Sequence, residues 1–307
     1  MATVLITGGT GMVGKHLTQL LVVKGYDVII VSRSPSNNRP HAKVSYALWN
    51  IGKQEIDADA IAKADYIIHL AGAGVAEKKW TEERKQEIVN SRIESSATIV
   101  KALKQLPNKV QAVVSASAIG WYGADTEKSL QFGFVESADA DAGFLGETCR
   151  LWEDSIQPVA ALGKRLVKLR IGIVLSKEGG ALVEFKKPLK VGIAGILGSG
   201  KQIISWIHVE DLCRMFVYAI EQPTLHGIYN AVTSKPVTNK YLTITLAKIE
   251  RGGFYIPVHV PTFVLKLMLG ELSIEVLKSA NVSNNKIHNA GFAYTYPTIE
   301  EALLSLK

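Results

Sequence analysis

The apolar positions of the chain fall into two alternating rhythms. Short, nearly unbroken apolar runs recur at Thr3–Thr7 (TVLIT), Tyr26–Ser32 (YDVIIVS), Val44–Trp49, Asp65–Ala71 (DYIIHLA), Lys109–Ser115 (KVQAVVS) and Arg165–Leu175 (RLVKLRIGIVL). Between them, Val13–Lys24, Thr81–Gln105 and Leu145–Leu162 carry apolar residues at helical spacing. Strand-length runs without polar alternation are strands covered on both faces, and their alternation with helices predicts a doubly wound parallel α/β sheet. This domain is expected over residues 1–175, with the chain returning to it at about 205–235. After residue 175 glycine and proline are more frequent and the periodicity weakens, which predicts a smaller α+β substrate region over 176–307. There Phe263–Ser279 has the spacing of two short amphipathic helices. Their polar face is not strongly basic, as expected of helices that pack on protein and not on a membrane surface.

Composition narrows the class. With 307 residues, 47% hydrophobic and 21% charged, the chain has the balance of a soluble protein with a well-buried core. No apolar stretch reaches about 18 residues, so no membrane span is expected. MATVLITGGTG lacks the basic region and apolar run of a signal peptide. Cys149 and Cys213 form neither a disulfide framework nor a CxxC pair, which points to a reducing cytoplasm. No acidic cluster or His/Cys set suggests a metal. The net charge of +7 favours anionic ligands. Lys and Arg are nevertheless scattered, without interleaved aromatics, so nucleic acid is not the expected partner.

The first strand ends in TGGTGMVG, Thr7–Gly14, and a helix follows. Gly8, Gly11 and Gly14 have the spacing in which one glycine permits a tight turn, the next admits a pyrophosphate and the third lets helix and strand pack closely. The helix start adds unpaired N–H groups and a positive dipole end. This context predicts a Rossmann-type dinucleotide site. At the end of the second strand an NAD site usually carries an acid for the ribose 2′-hydroxyl. This chain has Ser32-Arg33-Ser34, with no carboxylate to repel a 2′-phosphate and a guanidinium to pair with one. The cofactor expected is NADP(H) in preference to NAD(H). GILGSGK, Gly195–Lys201, fits GxxxxGK, but Gln202 stands where Ser or Thr would bind Mg²⁺ and no helix pattern follows. It is expected to be a mobile glycine loop over the substrate pocket.

TGGTGMVG, HLAG (His69–Gly72), VVSASAIGWYG (Val113–Gly123) and WIHVEDL (Trp206–Leu212) occur in the order found in the extended, epimerase-like branch of the short-chain dehydrogenase/reductase superfamily, which the chain resembles. With VSRS, GSGKQIISWIH and VPTFVLKLMLGE…GFAYTYP it resembles one subgroup, named epimerase-family or "cell division inhibitor"-like proteins, with a C-terminal domain of unknown function from about residue 256. The resemblance implies a cofactor site. Gly8 and Thr10, Gly11, Met12, Val13 and Gly14 would hold the pyrophosphate, and Ser32 and Arg33 the adenosine side. Leu70 and Ala71 would lie against ribose or pyrophosphate, Glu87 and Arg92 would face the cofactor from the next helix, and the backbone near Val174 would approach the nicotinamide. It also implies pairing of the helices at 81–105 and 145–162 between subunits of a homodimer.

The resemblance implies, too, a Ser or Thr, a Tyr and a Lys that polarise the substrate and move its proton. Ser117 matches the first. Counting back from Trp152-Glu153, the Lys position falls on Cys149 and the Tyr position on Leu145, neither of which can do that work. Three functions follow: an oxidoreductase or epimerase-like enzyme with a displaced acid/base, for which Tyr122 is the leading substitute and Thr148 an assistant; a non-catalytic NADP(H) sensor or interaction module; or an oxidoreductase whose activated substrate needs only Ser117 and the cofactor. His208 reads as structural at a strand–helix junction, and Trp206 as core. The small-molecule substrate is unnamed, sugar nucleotides entering only by analogy of fold.

Overall fold

The computed structural model describes residues 2–34 and 41–307. Its first half alternates as the apolar runs require: β1 (Thr3–Thr7), α1 (Met12–Val23), β2 (Asp27–Ser32), β3 (Val44–Asn50), β4 (Glu55–Ile56), α2 (Ala58–Lys63), β5 (Tyr66–His69), α3 (Glu82–Gln105) and β6 (Ala112–Ala118). After a 3-10 turn at Ile119–Trp121 come α4 (Glu127–Phe132), α5 (Phe144–Ile156), α6 (Pro158–Ala161), β7 (Arg165–Ile171) and β8 (Ile173–Leu175). The rest supplies α7 (Ala181–Leu189), β9 (Ile193–Leu197), β10 (Ile203–Ile204), β11 (Trp206–His208), α8 (Val209–Glu221), β12 (Gly227–Ala231), β13 (Val237–Thr238), α9 (Asn239–Arg251) and β14 (Ile256–Val260). Four short helices close the chain: α10 (Thr262–Leu269), α11 (Leu272–Leu277), α12 (Asn285–Asn289) and α13 (Ile299–Ser305).

The main sheet has the order β12-β7-β6-β5-β1-β2-β3-β4, parallel throughout except for the β3–β4 pair. Successive residues of β1 serve opposite faces. Val4 and Ile6 pack with Leu17 and Leu21 of α1 and with Leu212 and Phe216 of α8, whereas Leu5 packs with Ile61, Ile99 and Leu103 on the other side. The fold is the doubly wound Rossmann type. Strand order reverses where β1 is flanked by β2 and β5, so a crevice opens beyond the carboxyl ends of β1 and β5, where ligands of such sheets bind. The smaller C-terminal region has its own core, with Leu182, Leu189, Trp206, Leu242, Leu246 and Leu303.

Three boundaries differ from the sequence pattern. β6 runs over 112–118, not 109–115, because the small residues of SASA stay buried between helical layers. The single long run at 165–175 is two strands. β7 stays in the main sheet, and after Gly172 β8 turns away to pair with β11. The helix expected over 145–162 divides at Pro158, which lacks an N–H and opens α6.

GILGSGK is part strand and part hydrogen-bonded turn, not a single mobile loop. Its first three residues finish β9, paired in parallel with β14. The rest is a turn held by Gly198 N–H to Val260 O at 2.9 Å and Lys240 N–H to Gly200 O at 2.9 Å. Trp206 is fully buried, as its core assignment requires.

One carboxylate in the segment after β6 gathers several of the bonds that fasten the C-terminal region there. Asp125 accepts from Ser279 Oγ at 2.6 Å, from Asn281 N–H at 2.8 Å and from Ser129 Oγ at 2.9 Å. Asp125→Ala would leave these donors without their acceptor, at about 1–3 kcal/mol for each buried group left unpaired. The expected outcome is a clear fall in thermal midpoint, and an unchanged midpoint would show that the two regions are held elsewhere.

Candidate functional site

The crevice begins with close backbone packing. Gly8 has φ +70°, and a Cβ there would stand 2.9 Å from Leu70 C and 3.0 Å from Ala71 N. A Cβ on Gly14 would stand 2.5 Å from both Gly8 O and Gly9 Cα. Only glycine fits at either place, so the turn, α1 and the end of β5 lie in direct contact. Gly11 caps α1 without a side-chain bond, and the first helical bond is Lys15 N–H to Gly11 O at 2.9 Å. The N–H groups of Met12, Val13 and Gly14 precede it and have no helical carbonyl to meet. They form a donor set suited to a phosphate.

A hydrogen-bond chain under this turn ties β1 to β5. Thr7 Oγ1 accepts from Leu70 N–H at 3.2 Å and Ala71 N–H at 3.3 Å, so its own proton goes to His69 Nδ1 at 2.7 Å. His69 is therefore the Nε2–H tautomer, donating to Ser96 Oγ of α3 at 3.1 Å. Complete burial, with a smaller effect of the Arg92 charge, pushes its pKa down to about 3.

The other residues expected at a cofactor are gathered round the same crevice. Ser32 and Arg33 stand at the end of β2, with Arg33 exposed. Glu87 is held below the usual carboxylate range mainly by its bond to Arg84, and the charges of Lys78 and Arg33 act on it as well. Those cations thus lie within electrostatic reach of the start of α3. Arg92 is buried. Its Nη1 donates to Ala73 O at 3.1 Å and Ile88 O at 2.8 Å, its guanidinium stacks on Trp152 at 4.9 Å, and a Cβ on Gly72 would lie 3.2 Å from its Cζ. Across the crevice the loop after β8 reaches α1. A Cβ on Gly179 would be 3.3 Å from Met12 Sδ, one on Gly180 would be 3.5 Å from Val174 O, and Glu178 meets His16 at 3.3 Å.

The two residues singled out for chemistry face elsewhere. Ser117 is buried and donates to Glu153 Oε1 of α5 at 2.8 Å. Arg170 of β7 grips the same carboxylate through Nε at 2.8 Å and Nη2 at 3.2 Å, and Lys168 lies 3.7 Å from it. Tyr122 is fully buried, donates to Asn230 Oδ1 at 2.7 Å and accepts from Arg170 Nη1 at 3.1 Å. Burial pushes its pKa up to about 12. A phenol so enclosed is poorly placed to trade protons with a ligand. Thr148 donates back to Phe144 O at 2.6 Å, Glu147 pairs with Arg150 at the surface, and His208 caps α8 by accepting from Glu210 N–H at 3.1 Å.

Leu145, Cys149 and Glu153, four residues apart, lie along one stripe of α5. A Cβ on Gly120 would lie 3.2 Å from Leu145 Cβ and 3.5 Å from Cys149 Sγ, so α5 packs closely on the turn after β6. Burial pushes the Cys149 thiol up to about 12, which keeps it neutral, and the charge of Arg92 acts on it. A cation borne by α3 therefore stands near the position expected of Lys.

Glu153, Arg170 and Asn230 were not legible as a cluster from motifs. One signal was present, because Lys168 and Arg170 sit two apart in an otherwise apolar strand run and so share a face, where a buried carboxylate must answer them.

Such a fold and crevice define a Rossmann-type nucleotide-binding protein. The NAD dependent epimerase/dehydratase family matches residues 4–140, and a domain of unknown function, DUF1731, matches residues 260–306. Epimerase family protein YfhF of Bacillus subtilis is 34% identical over 303 residues, which cover 99% of this chain and 97% of that protein. Epimerase family protein MT2273 of Mycobacterium tuberculosis is 32% identical over 304 residues, covering 98% and 96%. The crystal structure of human epimerase family protein SDR39U1 (isoform 2) with NADPH aligns with a TM-score of 0.86 at 27% identity, covering 99% of this chain and 98% of that one. The chain belongs to the epimerase family.

Two measurements test the site's supports. Unfolded, His69 titrates near its ordinary pKa of about 6.5. Between that value and about 3 the unfolded chain binds the extra proton. Its contribution to stability is thus complete above about pH 6.5 and is lost progressively as pH falls. The midpoint of the wild type should drop more between pH 7.5 and 5 than that of His69→Asn; parallel curves would refute the neutral tautomer. Tyr122→Phe leaves Asn230 Oδ1 without its donor and should cost about 1–3 kcal/mol in chemical denaturation. Nucleotide affinity should stay the same, and a loss of affinity at undiminished stability would return Tyr122 to the ligand.

Proposed function

We propose that the protein binds NADP(H) across the crevice at the ends of β1 and β5 and acts as an oxidoreductase or epimerase-like enzyme on a small molecule. The observation that carries this reading is the uncapped start of α1, held by Gly8 and Gly14 against β5, with Arg33 at the end of β2. The NADPH named with the human relative supports it. The N–H groups of Met12 to Gly14 would hold the pyrophosphate beside Thr10 and Gly11. Ser32 and Arg33 would hold the 2′-phosphate, the guanidinium giving a charge-assisted pair at a strand end whose sequence, Ser32-Arg33-Ser34, carries no carboxylate. Leu70 and Ala71 would lie against a ribose, Glu87 and Arg92 would face the cofactor from α3, and Val174 would approach the nicotinamide. Residues 176–307 would form the substrate side. When bound, the cofactor supplies or accepts a hydride. The chain's own part is to orient it, to exclude water with the loop at 176–180, and to present a substrate beside Gly120.

A second reading, binding without chemistry, is favoured by Leu145 and Cys149 in the acid/base positions and by the enclosure of Ser117 and Tyr122. Turnover of any substrate with NADPH would exclude it.

Fluorescence titration of the wild type and of Arg33→Glu with NADPH and with NADH tests the proposal. The wild type should bind NADPH more tightly. Arg33→Glu should lose about 10- to 100-fold of NADPH affinity, the worth of a charge-assisted contact, while keeping NADH. Equal affinities in both proteins would overturn the role of Arg33, and no binding of either nucleotide would overturn the cofactor site.

A further inference from the structure

Where the acid/base pair is missing, the wall of the crevice is apolar. Leu145 faces the turn after β6 at Gly120. One residue earlier, Phe144 meets Trp80 edge to face, with ring centroids 4.9 Å apart and planes at 70°. Trp80 is fixed by Nε1–H to Val75 O at 2.9 Å. The loop before α3 and the start of α5 thereby present a pair of aromatic rings, with Leu145 following on the side of the helix that packs on Gly120.

Two of the cations beside this wall are already neutralised. Lys85 lies 5.7 Å from the Phe144 ring centroid and pairs with Glu271 at 2.6 Å and Glu82 at 3.1 Å. Lys278 donates to Tyr122 O at 3.1 Å and pairs with Glu275 at 2.6 Å. A diphosphate entering here would have to displace a carboxylate from each lysine and would meet that carboxylate's repulsion. These two lysines therefore offer a nucleotide sugar no free charge.

The missing acid limits the chemistry as well. Hydride delivery to an isolated ketone makes an alkoxide, a strong base that needs a proton from a positioned acid, and Leu145 has none to give. A conjugated acceptor of the quinone type spreads the new charge over its ring and oxygens, so water can protonate it. We propose, resting on the hydride-transfer reading above, that the substrate is a planar, apolar, conjugated carbonyl acceptor of the quinone type, seated against Trp80, Phe144 and Leu145. The ring takes two electrons and one proton as a hydride from NADPH, which is oxidised to NADP⁺. A second proton comes from water, and the product is the hydroquinone.

The test uses the full chain with NADPH and either 1,4-naphthoquinone or UDP-4-keto-6-deoxyglucose, a nucleotide sugar that carries a reducible ketone, following absorbance at 340 nm against an enzyme-free control, with NADPH affinity measured separately. The expected result is naphthoquinone-dependent NADPH oxidation well above the control and none with the keto sugar nucleotide. Trp80→Ala should raise the KM for naphthoquinone about tenfold, the worth of one aromatic contact, at unchanged NADPH affinity. Phe144→Leu should act in the same direction and serves if the first variant does not fold. NADPH binding without naphthoquinone reduction, reduction of the keto sugar nucleotide, or an unmoved KM in both variants would overturn this proposal while leaving the cofactor reading intact. Absence of NADPH binding would overturn both.

Discussion

The contact on which the rest of the structure depends is the approach of three backbone segments at the head of the sheet. Gly8 lies on the end of β5, and Gly14 lies on Gly8 and Gly9, at distances that leave no room for a side chain. This packing sets the direction of α1, and with it the aim of the free N–H groups. It also brings Leu70 and Ala71 to the same edge, and the Thr7–His69–Ser96 chain locks that edge to α3. Once α3 is placed, so are Glu87 and Arg92. A set of residues dispersed over the first third of the sequence becomes one rim because of a clash that only glycine avoids.

A second constraint holds the remaining side of the crevice. The Glu153 carboxylate receives Ser117, Arg170 and, at longer range, Lys168, while Arg170 passes on to Tyr122 and to the Trp121 ring at 3.6 Å. Taking such charges from water is costly, and an uncompensated member would cost about 3–5 kcal/mol. The cluster therefore works as an alignment device joining α5, β6, β7 and, through Asn230, β12. Such a device permits few alternative packings.

Much of the fold was legible because buried parallel strands leave contiguous apolar runs. Thr3–Thr7 and Tyr26–Ser32 fall within a residue of β1 and β2. The misplaced ends have physical causes. SASA has too little apolar mass to read as a buried strand, although burial suits such small residues. Nothing local in RLVKLRIGIVL announces that the chain changes partner at Gly172, since that is decided by β11, more than thirty residues later. For the site, the glycine turn was legible because its constraint is local. Ser117 and Tyr122 were less so, because which way a side chain points at the end of β6 depends on Glu153, Arg170 and Asn230, all distant in sequence. Two cations on one face of an apolar strand were the available hint.

The placement of Glu153 has a consequence for how such a protein can change over time. In α5 the anchor sits one turn beyond the stripe positions held by Leu145 and Cys149, so the bond that seats the helix on β6 and β7 is made by neither of them. Acid–base equipment on this helix is thus separable from foldedness. A lineage built on such a frame can shed proton-transfer chemistry at these positions while the Glu153 anchor still holds the helix. The same scaffold can therefore drift between catalysts and binders while its architecture stays unaltered.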